Sequence, residues 1–237
     1  MSLWSEFLNN NEFRMHKSTH YFPVYERHLS RFRNLDITLF EIGVWHGGSL
    51  KLWKKYFGPY AKIVGIDIEA KSVGVEEDQI FVRVGDQGDG TFLDTVIAEF
   101  GIPDIVIDDG SHQMRHMNFT FDHIYPRQPK NSIYVVEDTF FSYWQESGVG
   151  SGECESFIER TKGMIDLLHA PYTRGKISEN QFAQSTRAIH VYDGIVVFEK
   201  AGKTKRIESS GSEQLFGENL GDNSDFADQV TRWIYGC

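Results

Sequence analysis

The chain has 237 residues, 40% hydrophobic and 24% charged, which suits one large α/β domain or a domain with additions and a sizeable core. Its formal net charge of −10 weighs against nucleic-acid binding, which needs a basic surface, and no apolar run approaches the roughly 20 residues that span a bilayer. Two cysteines, Cys154 and Cys237, make no disulfide framework, and the N-terminus lacks the basic and apolar stretches of a signal peptide, so a cytoplasmic location is expected.

Residues 1–34 read as an arm followed by a helix. Tyr21, Val24, Tyr25, His28, Leu29 and Phe32 fall at helical spacing, Ser18 or Thr19 can cap, and Pro23 suits the first turn. Residues 37–42 form the first expected strand. Gly43, Gly47 and Gly48 make a tight turn, residues 49–57 a helix, and Gly58-Pro59 stops it. The second strand, 62–68, carries Asp67 at its end. This order is that of a mononucleotide-binding βαβ unit. The glycines depart from G-x-G-x-x-G, however, because Trp45 holds the middle position, where a dinucleotide pyrophosphate needs close backbone approach. By themselves the glycines are equally consistent with a plain strand-to-helix turn.

A third strand at 79–84 precedes Gly85-Asp86-Gln87 and a helix ending at Phe100. Residues 103–108 form the fourth strand and 132–137 the fifth, with a helix between them carrying Met117, Phe121 and Ile124. The alternation predicts a doubly wound, mostly parallel sheet with helices on both faces. Residues 140–187 break the rhythm, and an insertion of that size at the carboxyl edge suggests a lid. Runs at 188–192 and 195–198 flank Asp193-Gly194 as a hairpin. The segment 201–237 reads as a polar tail with a short amphipathic helix at 226–235, a candidate contact in a homo-oligomer.

Two strands end in acids: IVIDDGSH over 105–112 and IYVVED over 133–138. Neighbouring strands ending this way pool Asp109, Glu137 and Asp138 at one sheet edge, an oxygen set suited to Mg2+. Singly, each acid is as well explained as an exposed strand end or a helix cap. His112 and His116 stand four apart without the glutamate of a zinc-protease helix, so a zinc pair is disfavoured. His112 follows Asp109 by three residues, and an imidazole, which as a side-chain type titrates near neutrality, suits a general base; a purely structural loop histidine is the plainer alternative.

EIGVWHGGSL, GIDI, GDQ, DDGSH, VVEDT and IHVYDGIVVFEK, in that order, resemble the class I S-adenosylmethionine (SAM)-dependent methyltransferases. The likeness is strongest to the metal-dependent sugar O-methyltransferases of macrolide and polyketide tailoring, and runs from about His16 to Lys200. It implies a Rossmann-like seven-stranded sheet whose last two strands are an antiparallel hairpin, over a domain at 35–200. It also implies SAM and Mg2+ as cofactors and a small-molecule acceptor with a sugar or polyol-like hydroxyl. On that resemblance Asp67 would bind the ribose, and Asp86 and Gln87 the adenine side. Glu41, Gly43, Gly47, Ser49 and Asp109 would line the rest of the cofactor, while Lys17, Thr19, His20 and Tyr21 would close over its carboxylate. Asp109, Glu137 and Asp138 would hold the metal and His112 would act as base. Phe141, Tyr143 and Trp144 are candidates for the acceptor pocket or for core. A catechol-type or cephalosporin-hydroxylase-like enzyme, a dinucleotide oxidoreductase and a non-catalytic nucleotide binder are the competing readings.

Overall fold

The structure is a computed structural model that describes residues 2–10, 13–149 and 154–202. The expected tail helix at 226–235, and part of the glycine-serine patch at 148–153, lie outside the described residues.

A seven-stranded sheet forms the centre, in the order β3-β2-β1-β4-β5-β7-β6. The strands are β1 (Thr38–Ile42), β2 (Lys62–Asp67), β3 (Ile80–Val84), β4 (Ile105–Asp108), β5 (Ile133–Val136), β6 (Thr186–Tyr192) and β7 (Ile195–Lys200). The first five are mutually parallel, and β7 pairs antiparallel with both β5 and β6. The expected doubly wound sheet with a terminal hairpin is therefore present. Chain order reverses between β1 and β4, the position where open α/β sheets form a crevice outside their carboxyl ends.

Strand residues alternate between two cores. Leu39, Ile63, Ile107, Val135 and Val197 face one side, with helices α1 (Leu3–Leu8), α2 (Phe22–Leu29) and α3 (Gly48–Phe57). Phe40, Val64, Val106, Tyr134 and Phe198 face the other, with α4 (Gly90–Phe100), α5 (Met114–Ile124) and α6 (Phe157–His169). Each fully buried Leu, Ile or Phe here contributes about 1.5–3 kcal/mol, so both faces of the sheet must be covered. A short helix α7 (Gln181–Ser185) leads into β6.

The N-terminal segment is part of this body: Leu3, Tyr21, Tyr25 and Leu29 are buried in the first core. Pro23 lies in the first turn of α2, as its fixed φ allows. The expected lid divides in two. Residues 139–147 form two short 3-10 turns beside the carboxyl edge, whereas α6 places Phe157 and Met164 in the second core and so serves as a layer of the fold. No described helix is long and apolar enough to cross a membrane.

Candidate active site

A cavity of about 530 Å³ opens at the carboxyl ends of the strands, a volume ordinary for a small-molecule site. Gly43, Asp67, Asp86, Gln87, Asp109, His112 and Asp138 line it, all anticipated from sequence. Among the described residues it is also lined by His16, Trp45, Lys71, Ser111 and His116, which sequence reasoning left out of the cofactor set.

The glycine loop is built for close contact. Gly43 has φ +91°, and a Cβ there would stand 2.1 Å from the Asp109 carbonyl oxygen, so only glycine lets β1 and β4 approach at this point. Gly47, at φ +74°, caps α3 in the left-handed region. Asp67 fixes the loop from β2: one carboxylate oxygen accepts from the Val44 and Trp45 amides at 2.7 and 3.0 Å, and the other from the Glu69 amide at 2.8 Å. Trp45 stays half exposed on the cavity wall.

Opposite the loop, Gln87 is buried and ties two strand ends together. Its amide nitrogen donates to Asp108 at 3.2 Å, and its carbonyl oxygen accepts from the Ser111 amide at 2.8 Å. Asp86 turns back to accept from the Gly88 amide at 2.8 Å. Asp108 is fully buried among these groups, and burial pushes its carboxyl up to about 7. It is a structural acid on the second-core face.

The acids after β4 and β5 separate by strand alternation. Asp108 pairs with Val136, so Asp109 and Glu137 leave the sheet side by side. Glu137 continues the phase of Val135 and points toward α2, as Glu41 does from β1. Both carboxylates are buried there. Glu137 accepts from Tyr25 Oη at 2.6 Å and from Lys17 Nζ at 3.0 and 3.1 Å. The same ammonium lies 3.1 Å from Glu41 and 2.7 Å from Asp109. Burial raises Glu41 and Glu137 above the usual carboxylate range. Burial by itself would lower Lys17, yet Asp109, Glu137 and Glu41 together hold it well above its usual value. A buried ammonium thus occupies the point where three carboxylates converge.

Asp138 breaks the alternation. Its φ of +53° turns its side chain away from Glu137 and into the cavity. His112 also has φ +53°, and its Nε2 lies 3.8 Å from Asp109 Oδ1 and 3.8 Å from Asp138 Oδ2. Ligand atoms of Asp109, His112 and Asp138 all fall within 4.8 Å of one another. The ring of Phe141 lies on His112, centroids 4.5 Å apart and planes at 11°. Tyr21 Oη donates to Asp138 Oδ1 at 2.8 Å and is 2.9 Å from the Gly194 carbonyl, which joins α2's entry to the hairpin turn.

Thus the structure brings Asp109, His112 and Asp138 together at the mouth of the cavity, with Glu137 behind them under Lys17. Two open carboxylates suit a hard divalent cation that keeps several waters. In the segment expected to close over a cofactor, Lys17 contacts Asp109 and Glu137, and Tyr21 contacts Asp138. Thr19 is exposed, and His20 Nε2 meets the Asp193 carbonyl at 3.1 Å; neither lines the cavity. Glu41, Gly47 and Ser49 are buried and are not part of the lining.

No family model matches the chain. It is 36% identical over 197 residues to demethylmacrocin O-methyltransferase of Streptomyces fradiae, covering 77% of this chain and 49% of that protein. To mycinamicin VI 2''-O-methyltransferase of Micromonospora griseorubida it is 35% identical over 195 residues, covering 76% and 48%. Among solved structures it is similar to the MycE methyltransferase of the mycinamycin pathway in complex with Mg, SAH and mycinamycin VI, with TM-score 0.72 and 33% identity over 84% of this chain and 53% of that one. The chain spans about half the length of the curated relatives it matches.

Proposed function

Because the chain carries the Rossmann-like methyltransferase fold and resembles sugar O-methyltransferases over most of its length, we propose that it is a SAM- and Mg2+-dependent O-methyltransferase acting on a hydroxyl of a sugar or glycosylated small molecule. One observation carries the reading: His112 Nε2 stands 3.8 Å from each of two carboxylates, Asp109 and Asp138, at the mouth of a cavity at the sheet's switch point.

SAM would lie along the glycine loop, with Gly43, Asp67, Asp86 and Gln87 as its wall, and supplies an electrophilic methyl group. Mg2+ would be held by Asp109 and Asp138, and supplies charge that orients a hydroxyl and lowers its pKa. Glu137 shares Lys17 with Asp109, so it can join as a third ligand only where Lys17 gives way.

The chain's own groups then have defined tasks. Tyr21 holds the outer oxygen of Asp138 and so aims the other into the cavity. His112 Nε2 is the proton acceptor for the acceptor hydroxyl, since an alcohol is a weak nucleophile until its proton has somewhere to go. Phe141 fixes the plane of the ring. Trp45 and the exposed Tyr143 and Trp144 offer flat apolar faces on which the remainder of a glycoside can lie.

Calorimetry tests this directly. SAM or S-adenosylhomocysteine should bind and NAD should not; the opposite result removes the proposal. With a glycosylated macrolide or polyketide as acceptor, a chelator should abolish methyl transfer. His112→Ala should lower kcat by about 10²–10⁴, and full activity in that variant would remove the base assignment.

A further inference from the structure

Away from the cavity, the geometry points to a second metal site in which His28, His190 and Glu199 hold Zn2+ between α2 and the β6–β7 hairpin. The inference does not rest on the proposed activity.

Three elements supply the ligands. His190 pairs with Val197 across β6 and β7, so Glu199, two residues beyond Val197, is its diagonal neighbour on the same sheet face. His28 comes down on that face from α2. Glu199 Oε1 lies 3.1 Å from His28 Nδ1 and 3.2 Å from His190 Nε2, and one ligand atom from each residue falls within 4.8 Å of the other two. Tetrahedral zinc with ligands at ~2.1 Å separates donor atoms by ~3.4 Å, close to both of these distances.

The donor set is chemically different from that of the cavity. Two imidazoles and one carboxylate suit zinc, whereas Mg2+ takes oxygen. His190 Nε2 is buried and faces Glu199 Oε1 at 3.2 Å. The outer contacts are those that orient metal ligands. His28 Nε2 is 2.9 Å from Tyr192 Oη, which leaves Nδ1 to face the shared centre. Arg187 donates to the far oxygen of Glu199 at 3.2 Å, which leaves Oε1 inward. Three protein ligands leave the fourth position of a tetrahedral zinc to water. Arg31 also faces Glu199, and its charge, with that of Arg187, makes the site weaker than a closed four-ligand zinc centre.

The ion would act as a staple. It would fasten α2, whose Tyr25 reaches Glu137 and whose N-terminal end carries Tyr21, to the edge hairpin that supplies Gly194.

The test uses the full chain, stripped with chelator and then saturated with Mg2+ so that oxygen sites are filled. Zn2+ is titrated by calorimetry and Co2+ by visible absorption. The expected result is one equivalent of Zn2+ that excess Mg2+ does not displace, a tetrahedral-type Co2+ spectrum and a raised melting temperature. His190→Ala and Glu199→Gln should each weaken Zn2+ binding at least about tenfold, while Asp138→Asn leaves it unchanged. Absence of Zn2+ binding to the Mg2+-saturated protein overturns the inference, as does equal affinity in wild type and both variants, or loss of binding in Asp138→Asn. Should the variants fail to fold, an octahedral Co2+ spectrum in the wild-type protein overturns it alone.

Discussion

Phe141 lies flat on His112, with ring centroids 4.5 Å apart and planes at 11°. The backbone of His112 is in the left-handed region, which costs a non-glycine residue roughly 1–2 kcal/mol, so local conformation alone does not hold this ring where it is. The stack sets the plane in which Nε2 meets Asp109 and Asp138. Replacing Phe141 by Leu keeps apolar volume and removes the flat contact. Steady-state kinetics should then show kcat lowered about tenfold with KM little changed, because the loss falls on ring orientation. Phe141→Tyr should restore most of the rate. Equal activity in Phe141→Leu and wild type would mean that His112 does not depend on the stack.

Tyr21 donates to Asp138 at 2.8 Å from the opposite side. Contacts of this kind behind a ligand commonly change metal affinity 10–100-fold when removed. Tyr21→Phe should therefore weaken Mg2+ or Mn2+ binding by that order, at a stability cost of about 1 kcal/mol for the lost hydrogen bond. Metal titration of the folded variant decides the point. Unchanged affinity would show that Asp138 is not aimed by Tyr21.

Lys17 compensates Glu41, Asp109 and Glu137 at distances of 2.7–3.1 Å. Lys17→Met removes the only Lys or Arg that pairs with this buried cluster among the described residues and leaves two fully buried acids. Losing one partner of such a set typically costs about 3–5 kcal/mol. Urea unfolding in chelator should show that loss, and added Mg2+ should recover part of it by supplying positive charge at Asp109. A variant as stable as wild type in chelator would mean that Glu41 and Glu137 are already neutral.

Much of this was legible in the chain. The strand-ending acids, the glycine turn and the D-G hairpin each carry a local signature, and the observed strands differ from expectation by one or two residues at their ends. The sorting of the acids was less visible. Asp109, Glu137 and Asp138 read alike as residues after strands, and the sequence reading pooled them. Strand phase separates them: Glu137 follows Val135 onto the α2 face, and only the positive φ of Asp138 redirects the last acid. The first half of that could have been read from period-two alternation, but the second is a backbone conformation that no residue type announces. Lys17, 92 residues from Asp109 and 120 from Glu137, meets them only through the tertiary fold. His28, His190 and Glu199 are likewise scattered and carry no motif spacing.

Asp108 offers a test of electrostatics that needs no ligand. Burial raises its carboxyl to about 7, against an ordinary value of 3.8, despite hydrogen bonds from Gln87 and Tyr134. A folded-state pKa above the unfolded one means that the folded chain keeps a proton that the unfolded chain has released. The stabilising contribution of the neutral acid is thus fully present below about pH 4 and is lost as pH rises toward 7. Above that, the folded state carries a buried anion. Asp108→Asn keeps an acceptor for the Gln87 amide and cannot ionise. Its stability relative to wild type should be near zero at pH 4, climb between pH 4 and 7, and level off above pH 7 at a gain on the order of 4 kcal/mol. Taking the difference between the two proteins cancels the titration of Glu41 and Glu137, which are common to both. Chemical denaturation across pH measures the curve, and a flat difference, or an Asn variant less stable at pH 8, would show that Asp108 is ionised in the folded chain at little cost.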